Sequence, residues 1–429
     1  MNMIHPELNP PQAAQIGAAI EARRAQLIEN TRALVAAASP NPPGDVSAAA
    51  RVAQQLLQAI PGVDIRVHET APGIVNLVAC IDSGKPGRRL VFNGHLDTFP
   101  IGADLGWTVN PLGGEEREGR LYGRGVSDMK AGIAASIAAA TLLAERKQDW
   151  CGQVAITLAG DEETMGQLGT HWLLSHVAES RGDAMVCGDV GSPRVVRFGE
   201  KGLMWIEVRA SGKPAHGAHV HKGINAIDRL RTALDALQRL ESLPVQAPEA
   251  IGTAIAQASA VSEALSGAGE SGVLQRVTVN IGTIEGGVSP NLVPTSALAR
   301  GDIRLPIGVS TAQVDQFLHT HLDPMEGIEW KIVQRYDPTF TAPEHEIVQR
   351  ALAASALVTG ETPVANMRVG ASDARLYRAV GIPTIVLGCT PYGMGGPDEH
   401  VVVEELVNVA KIHALLAFGY LSPGNTAAR

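Results

Sequence analysis

Strand-like apolar runs in this chain end in one kind of residue, and that ending limits the folds open to it. Leu90-Val91-Phe92 runs out at Asn93-Gly94 into His95 and Asp97. The run over 153–159 is followed by Asp161, Glu162 and Glu163, and the run over 184–187 by Gly188 and Asp189. Asp128 follows a long Gly-rich loop, 100–125, that leaves the first of these runs. Helical stretches separate the runs, over 129–145 and near 166–177. Strands alternating with helices build parallel βαβ units whose sheet is covered on both faces. In such a sheet, ligands bind in the crevice outside the carboxyl ends of the strands. The histidine and the acids fall there. The expected fold class is α/β, with a mixed, largely parallel sheet and helices on both faces.

The same pattern opens with helices over 11–38 and 47–60 and strands over 63–67 and 75–80. Ser39-Pro40-Asn41-Pro42-Pro43 breaks the first helix. After Arg197 the pattern changes to a strand over 203–210, a helix over 223–240, strands over 273–284 and 297–305, a helix over 311–322 and a strand over 328–335. That order, β-α-β-β-α-β, is the split βαβ layout of a small α+β unit. The Gly- and Ser-rich stretch 262–272 is expected as an exposed loop. From Asp337 the first pattern resumes, with helices over 344–357 and 373–380, a strand over 384–387 and a helix over 404–418. A domain made of 1–199 and 338–429, interrupted by an inserted domain of 200–337, accounts for this order.

Composition narrows the function. A formal charge of -9 gives no basic footprint for nucleic acid. No apolar run reads as the roughly 20 residues that span a bilayer, and residues 1–6 show no basic region leading into an apolar stretch, so no signal peptide is expected. The terminal stretch 422–429 reads as a low-complexity tail. The four cysteines, Cys80, Cys151, Cys187 and Cys389, are scattered through apolar runs. They read as thiols in a reducing compartment, which makes the cytoplasm the expected location.

His95 and Asp97 are one residue apart, which on an extended chain puts both side chains on one face. The imidazole can ligate a metal while the carboxylate holds its other nitrogen. One histidine among several carboxylates suits a divalent transition metal. In Glu162-Glu163, neighbours past a strand end point different ways, so one can face a metal and the other a substrate. A carboxylate beside a metal is placed to take a proton from water.

These residues carry a resemblance. The chain resembles the co-catalytic metallopeptidase family that includes aminoacylases, acetylornithine deacetylase and succinyl-diaminopimelate desuccinylase. The matching segments are Gly94-His95-Leu96-Asp97-Thr98, Gly106-Trp107, the run from Arg120 to Lys130, Asp161-Glu162-Glu163 and Gly188-Asp189. Further along they are His216 with Gly223 to Ile227, Gly286 to Asn291, Asp302 to Leu305, Gly370 to Arg375 and Pro397-Asp398-Glu399. The resemblance implies that His95 and Asp189 bind a first metal, that Asp128 bridges two, and that Glu163 binds the second. It makes Glu162 the general base and Asp97 the residue that orients His95. It makes 200–337 a lid and dimerisation domain, whose His216 polarises the reacting group, often across a homodimer or higher homo-oligomer. Asn291 and Arg304 of that domain, with Ser372, are the expected substrate-binding residues; an arginine fork matches a carboxylate bidentately.

One departure matters. The family places its last second-metal histidine three residues before the Asp of its Asp-Glu pair, and here that position is Gly395. His400 lies on the other side of the pair, where a shifted loop would be needed to bring it in. The expectation is one tightly bound ion per chain (manganese, zinc, cobalt or iron) held by His95, Asp128 and Asp189, with a doubtful second site. The implied chemistry is hydrolysis of a C–N bond in a small carboxylate: deacylation of an N-acyl amino acid or removal of a C-terminal residue. The reduced metal set keeps open an aromatic aminohydrolase, of the kind that acts on 5-nitroanthranilate and releases ammonia, and a non-catalytic carboxylate-binding relative. Retention of Glu162, needed for catalysis and not for binding, weighs against the last.

Overall fold

The computed structural model describes residues 10–102 and 106–422. The readings of residues 1–6 and of the tail over 423–429 lie outside the described residues. The chain forms two compact units, one of Met1–Phe198, Thr341–Asn366 and Ser372–Arg429, the other of Gly199–Phe340 and Met367–Ala371.

The first unit is built on a mixed sheet. Its strands run in the order Asp64–Ala71, Ile74–Asp82, Gln153–Ala159, Arg89–His95, Ala184–Cys187, Thr384–Val386 and Val195–Glu200. Arg89–His95 lies in the middle, parallel to Gln153–Ala159 on one side and to Ala184–Cys187 on the other, and Thr384–Val386 continues the parallel run. The first two strands and Val195–Glu200 pair antiparallel. Leu90, Val91 and Phe92 are wholly buried, as a strand covered on both faces requires. The register sets His95 opposite Ala159 and Asn93 opposite Cys187. Three strands therefore end at one edge, and His95, Glu162, Glu163 and Asp189 all leave from it.

Behind this edge lies the helix Ala131–Glu145, in which only Thr141 and Glu145 escape burial. Its alanine-rich surface packs against the helix Val403–Tyr420 and lets backbones approach closely. A Cβ on Gly132 would lie 1.8 Å from the Gly188 carbonyl oxygen, so the start of the helix rests directly on the turn that carries Asp189. By length and composition Val126–Glu145, 20 residues, passes for a membrane span, contrary to the sequence reading. Its most apolar window is 89 % buried inside the protein, so its apolarity is that of a core helix.

The loop over 100–125 is partly ordered where it is described. Its short strand Arg120–Tyr122 pairs with His400–Val402, and Thr108 donates to the Asp398 carboxylate through its main-chain N–H and its hydroxyl, both at 2.8 Å.

The second unit is a four-stranded antiparallel sheet in the order Thr278–Gly286, Ser296–Leu305, Gly202–Ser211, Ile328–Tyr336. Alternate residues Met204, Ile206 and Val208 face a core shared with the helices Ala226–Gln238 and Thr311–His321. Each helix is capped from its sequence, by the Asn225 side chain and by a capping box at Ser310 and Gln313. One expectation fails here. Residues 262–272 are not an exposed loop but the end of a helix, Glu249–Ser266, and most of the next, Glu270–Leu274. Ile251, Ala254, Ile255, Ala258 and Ser262 bury one face of the longer helix. The Glu263 carboxylate accepts from the Gly269 and Ser271 N–H groups and closes the connection, and Ser262 donates to Glu270. The following strand starts at Thr278, later than expected, because the chain before it is helical.

Candidate metal centre and active site

His95 is the last residue of its strand and is 2 % exposed. Its Nδ1 lies 2.9 Å from the Asp97 main-chain oxygen, so that nitrogen carries the proton and Nε2 is left to ligate. Nε2 faces Asp128 Oδ1 at 3.0 Å. The orienting contact thus differs from the sequence reading: the Asp97 carbonyl supplies it, and the nearer carboxylate oxygen stands back at 3.5 Å. His95, Asp128 and Asp189 each bring a ligand atom to within 4.8 Å of the others.

The Asp97 carboxylate has another task. It accepts from the Glu162 N–H at 3.1 Å, the Glu163 N–H at 3.0 Å and the Asn41 amide at 2.9 Å. One residue therefore fixes the His95 ring through its carbonyl and the main chain of both glutamates through its side chain.

The electrostatics are those of a centre short of positive charge. Burial raises the Glu162 carboxyl well above the usual range, with Asp373 adding to the rise and His95 opposing it. Glu163 is raised by burial and by Asp128. Burial pulls the His95 imidazole down, but the Asp128 and Asp97 carboxylates outweigh it and hold its pKa well above the ordinary value. Glu163 Oε1 is buried and has no hydrogen-bond partner. An imidazole oriented through Nδ1 with its Nε2 turned to a carboxylate, two converging carboxylates and an orphaned carboxylate oxygen fit a divalent transition metal, which would take the place of the Nε2 proton.

Sequence reasoning missed several residues here. Arg375, 3 % exposed, brings Nη1 to 3.8 Å from Glu162 Oε1 and is held by the Ser372 and Met165 carbonyls at 2.6 and 2.8 Å. The expected substrate residue Ser372 is itself fully buried, and its carbonyl positions this arginine. Asp373 accepts from the Thr170 hydroxyl at 2.6 Å and is raised by burial. Asn41 lay in a segment legible only as a helix breaker. Arg375 and Asp373 lay in a matching segment whose first polar residue, Ser372, drew attention instead.

At the second-metal position the departure stands. Gly395 adopts φ +72°, its carbonyl accepts from Arg124 at 3.0 Å, and a Cβ there would touch the Phe99 ring at 3.7 Å. His400 does not join the cluster. Its ring lies between Tyr122 and Tyr392, with centroids 4.8 and 5.1 Å away, and its Nδ1 meets the Asp398 carbonyl at 2.9 Å.

The remaining expected residues belong to the second unit. His216 Nδ1 accepts from the Ala218 N–H at 3.1 Å, which leaves its Nε2 uncommitted. His216 bridges to Leu292, and the Asn291 carbonyl accepts from the Gly217 N–H at 2.7 Å, so two loops bring His216 and Asn291 together. Arg304 spends its Nε on both Asp302 oxygens, at 2.9 and 3.0 Å.

The model of peptidase family M20/M25/M40 matches residues 91–418. The chain belongs to that family. As an M20 member it is a metal-dependent hydrolase acting on amide and peptide C–N bonds. It is 31 % identical over 384 residues to a succinyl-diaminopimelate desuccinylase of Rhodospirillum centenum, covering 86 % of this chain and 91 % of the relative. Among solved structures, an M20 metallo-carboxypeptidase of Sulfolobus solfataricus superposes with a TM-score of 0.78 at 19 % identity, over 92 % of this chain and 98 % of that one. A Bacillus subtilis peptidase of family M20, described as binding a dinuclear metal, gives 0.63 at 16 % identity over 94 % and 99 %. Both share the M20 fold with this chain.

Proposed function

We propose that the protein hydrolyses the amide bond of a small N-acylated amino acid, using Glu162 as general base beside one tightly held divalent ion on His95, Asp128 and Asp189. The observation that carries this reading is the shared anchor. Asp97 fixes the ring of the ligand His95 and the N–H groups of Glu162 and Glu163, so base and metal site keep one geometry. A divalent ion bound there supplies Lewis acidity and lowers the pKa of water. Glu162 accepts the proton of the water that adds to the amide carbon and returns it to the leaving nitrogen. Arg375, 3.8 Å from Glu162, steadies the carboxylate form of the base. Glu163, with its orphaned oxygen, is the residue for any weaker second ion.

For the substrate carboxylate we infer Arg304, both of whose terminal amino groups are unspent among the described residues, and Asn291. His216, with Nε2 uncommitted, polarises the reacting carbonyl. A cytoplasmic homodimer, with manganese, zinc, cobalt or iron as the ion, completes the reading. The four cysteines are free thiols, which supports a reducing compartment. The R. centenum relative is named for removal of a succinyl group from diaminopimelate, which makes N-succinyl and N-acetyl amino acids the first panel to assay.

A second reading, an aromatic aminohydrolase, is favoured by one observation: Gly395 supplies no imidazole and His400 is committed elsewhere. Assaying the N-acyl panel beside nitroanthranilate separates the two. Release of free amino acid with no ammonia supports the amidase. Ammonia from nitroanthranilate, with an inert N-acyl panel, supports the other.

A further inference from the structure

The first unit holds a cavity of about 240 Å³ with apolar walls and a cationic end. Pro42, Phe99, Ile101 and Leu112 line the walls, and Arg124 and Lys130 line the end. Both cations are deeply buried, at 2 and 1 % exposure. Arg124 places Nη1 on the Glu399 carboxylate at 2.6 Å and Nη2 on the Gly395 carbonyl at 3.0 Å, while its Nε is buried with no partner. Lys130 makes a single hydrogen bond, from Nζ to the Ala37 carbonyl at 2.8 Å, and has no carboxylate in ion-pair range among the described residues.

An ammonium group has three donors, so two on Lys130 are unspent. A buried amine with unspent donors is unfavourable unless something accepts from them. Glu399 is committed to Arg124 and to the backbone of the 125–127 turn. The Lys130 amine therefore keeps donors to spare where the cavity opens, and the Arg124 Nε is left over beside it. The walls say what kind of anion completes it. Proline, phenylalanine, isoleucine and leucine offer nothing to a bare phosphate or sulfate but cover a hydrocarbon body well. The volume far exceeds the roughly 10–15 Å³ that one water centre needs, and falls below the roughly 300 Å³ at which drug-sized pockets begin.

We propose that this cavity is a binding subsite for a small organic carboxylate with an apolar body, its carboxylate on Lys130 and Arg124 Nε and its body against Phe99 and Leu112. The occupant is either a distal carboxylate of the molecule being hydrolysed or a separate small acid that tunes the enzyme. The recognition chemistry is the same for both. Neither Arg124 nor Lys130 is one of the three clustered ligands, and the two lie on either side of Asp128 in the chain.

Benzoate and its neutral isostere benzamide, titrated into the metal-loaded protein by calorimetry, test this. Benzoate should bind saturably, and benzamide at least about tenfold more weakly, as loss of a hydrogen bond to a charged group implies. Lys130→Met should lose benzoate binding by a similar factor. Leu112→Trp, which fills the cavity, should lose it too with metal content unchanged, and it decides the matter should the Lys130 variant not fold. Benzoate that competes with the amide substrate places the subsite on the substrate's path; benzoate that binds beside the substrate identifies a separate ligand. Equal binding of benzoate to wild type and to both variants overturns the proposal, as does equal binding of benzoate and benzamide.

Discussion

The Glu399 carboxylate grips Ser127 twice, accepting from its main-chain N–H at 3.1 Å and its hydroxyl at 2.8 Å, one residue before Asp128. The same carboxylate takes the Gly125 N–H at 3.2 Å and the Arg124 guanidinium at 2.6 Å. Asp128 thus reaches His95 from a turn held by a residue near the other end of the chain. Glu399→Ala is expected to weaken metal binding by about ten- to a hundredfold, the usual effect of losing a group that holds a ligand in place. Glu399→Gln, which keeps an acceptor for Ser127, should recover part of it. Metal titration of the purified variants reads this directly. A lowered melting temperature with unchanged metal affinity would show Glu399 to be structural only.

Glu162→Gln keeps the shape of the side chain and removes the base. Turnover should fall by about two to four orders of magnitude, the range for loss of a general base, while the metal content stays at the wild-type level. Near wild-type turnover at saturating substrate would sink the assignment.

After dialysis, elemental analysis should give one ion per chain. His95→Ala should remove it, and His400→Ala should leave it in place, because the His400 ring is packed between two tyrosines. Gly395→His alone should not restore a second ion. At φ +72° a histidine is strained by about 1 kcal/mol or more. Two tightly held ions in the wild type, one of them lost in His400→Ala, would refute this.

His413 gives a pH dependence away from the metal. It is fully buried against Phe92, with Nε2–H donating to the Leu387 carbonyl at 2.8 Å and Nδ1 3.3 Å from the Ser136 hydroxyl. Burial lowers its pKa from 6.5 to about 4. The unfolded chain then binds the extra proton between those values, so the neutral ring's contribution is complete above pH 6.5 and is lost as pH falls toward 4. The loss is on the order of 3 kcal/mol, at about 1.4 kcal/mol per unit. Denaturant unfolding at pH 7 and pH 4.5 should show His413→Gln losing less stability than wild type over this interval. Parallel losses in the two proteins would contradict it.

The parts of this molecule that the sequence discloses are those written locally. An apolar run followed by a histidine or an acid marks a strand end, so His95, Glu162, Glu163 and Asp189 were readable one segment at a time. That they leave from a common edge follows from sheet order, which the strand–helix alternation implies. Contacts set by register were not readable. Asn41 meets Asp97 across 56 residues, and Arg124 meets Glu399 across 275, and nothing in either segment names its partner. The helix Glu249–Ser266 was hidden for another reason: alanine, serine and glycine give little contrast between its two faces, so the segment has composition but no clear period.

Where Gly132 meets Gly188, two main chains touch with no side chain between them. Asp128 stands four residues before one glycine and Asp189 directly after the other. The distance between the main chains that carry these two carboxylates is therefore limited here by the van der Waals radii of peptide atoms, which do not repack or swap rotamers. Substitutions elsewhere in the alanine-rich core can loosen side-chain packing and still leave this main-chain contact beneath the metal centre in place.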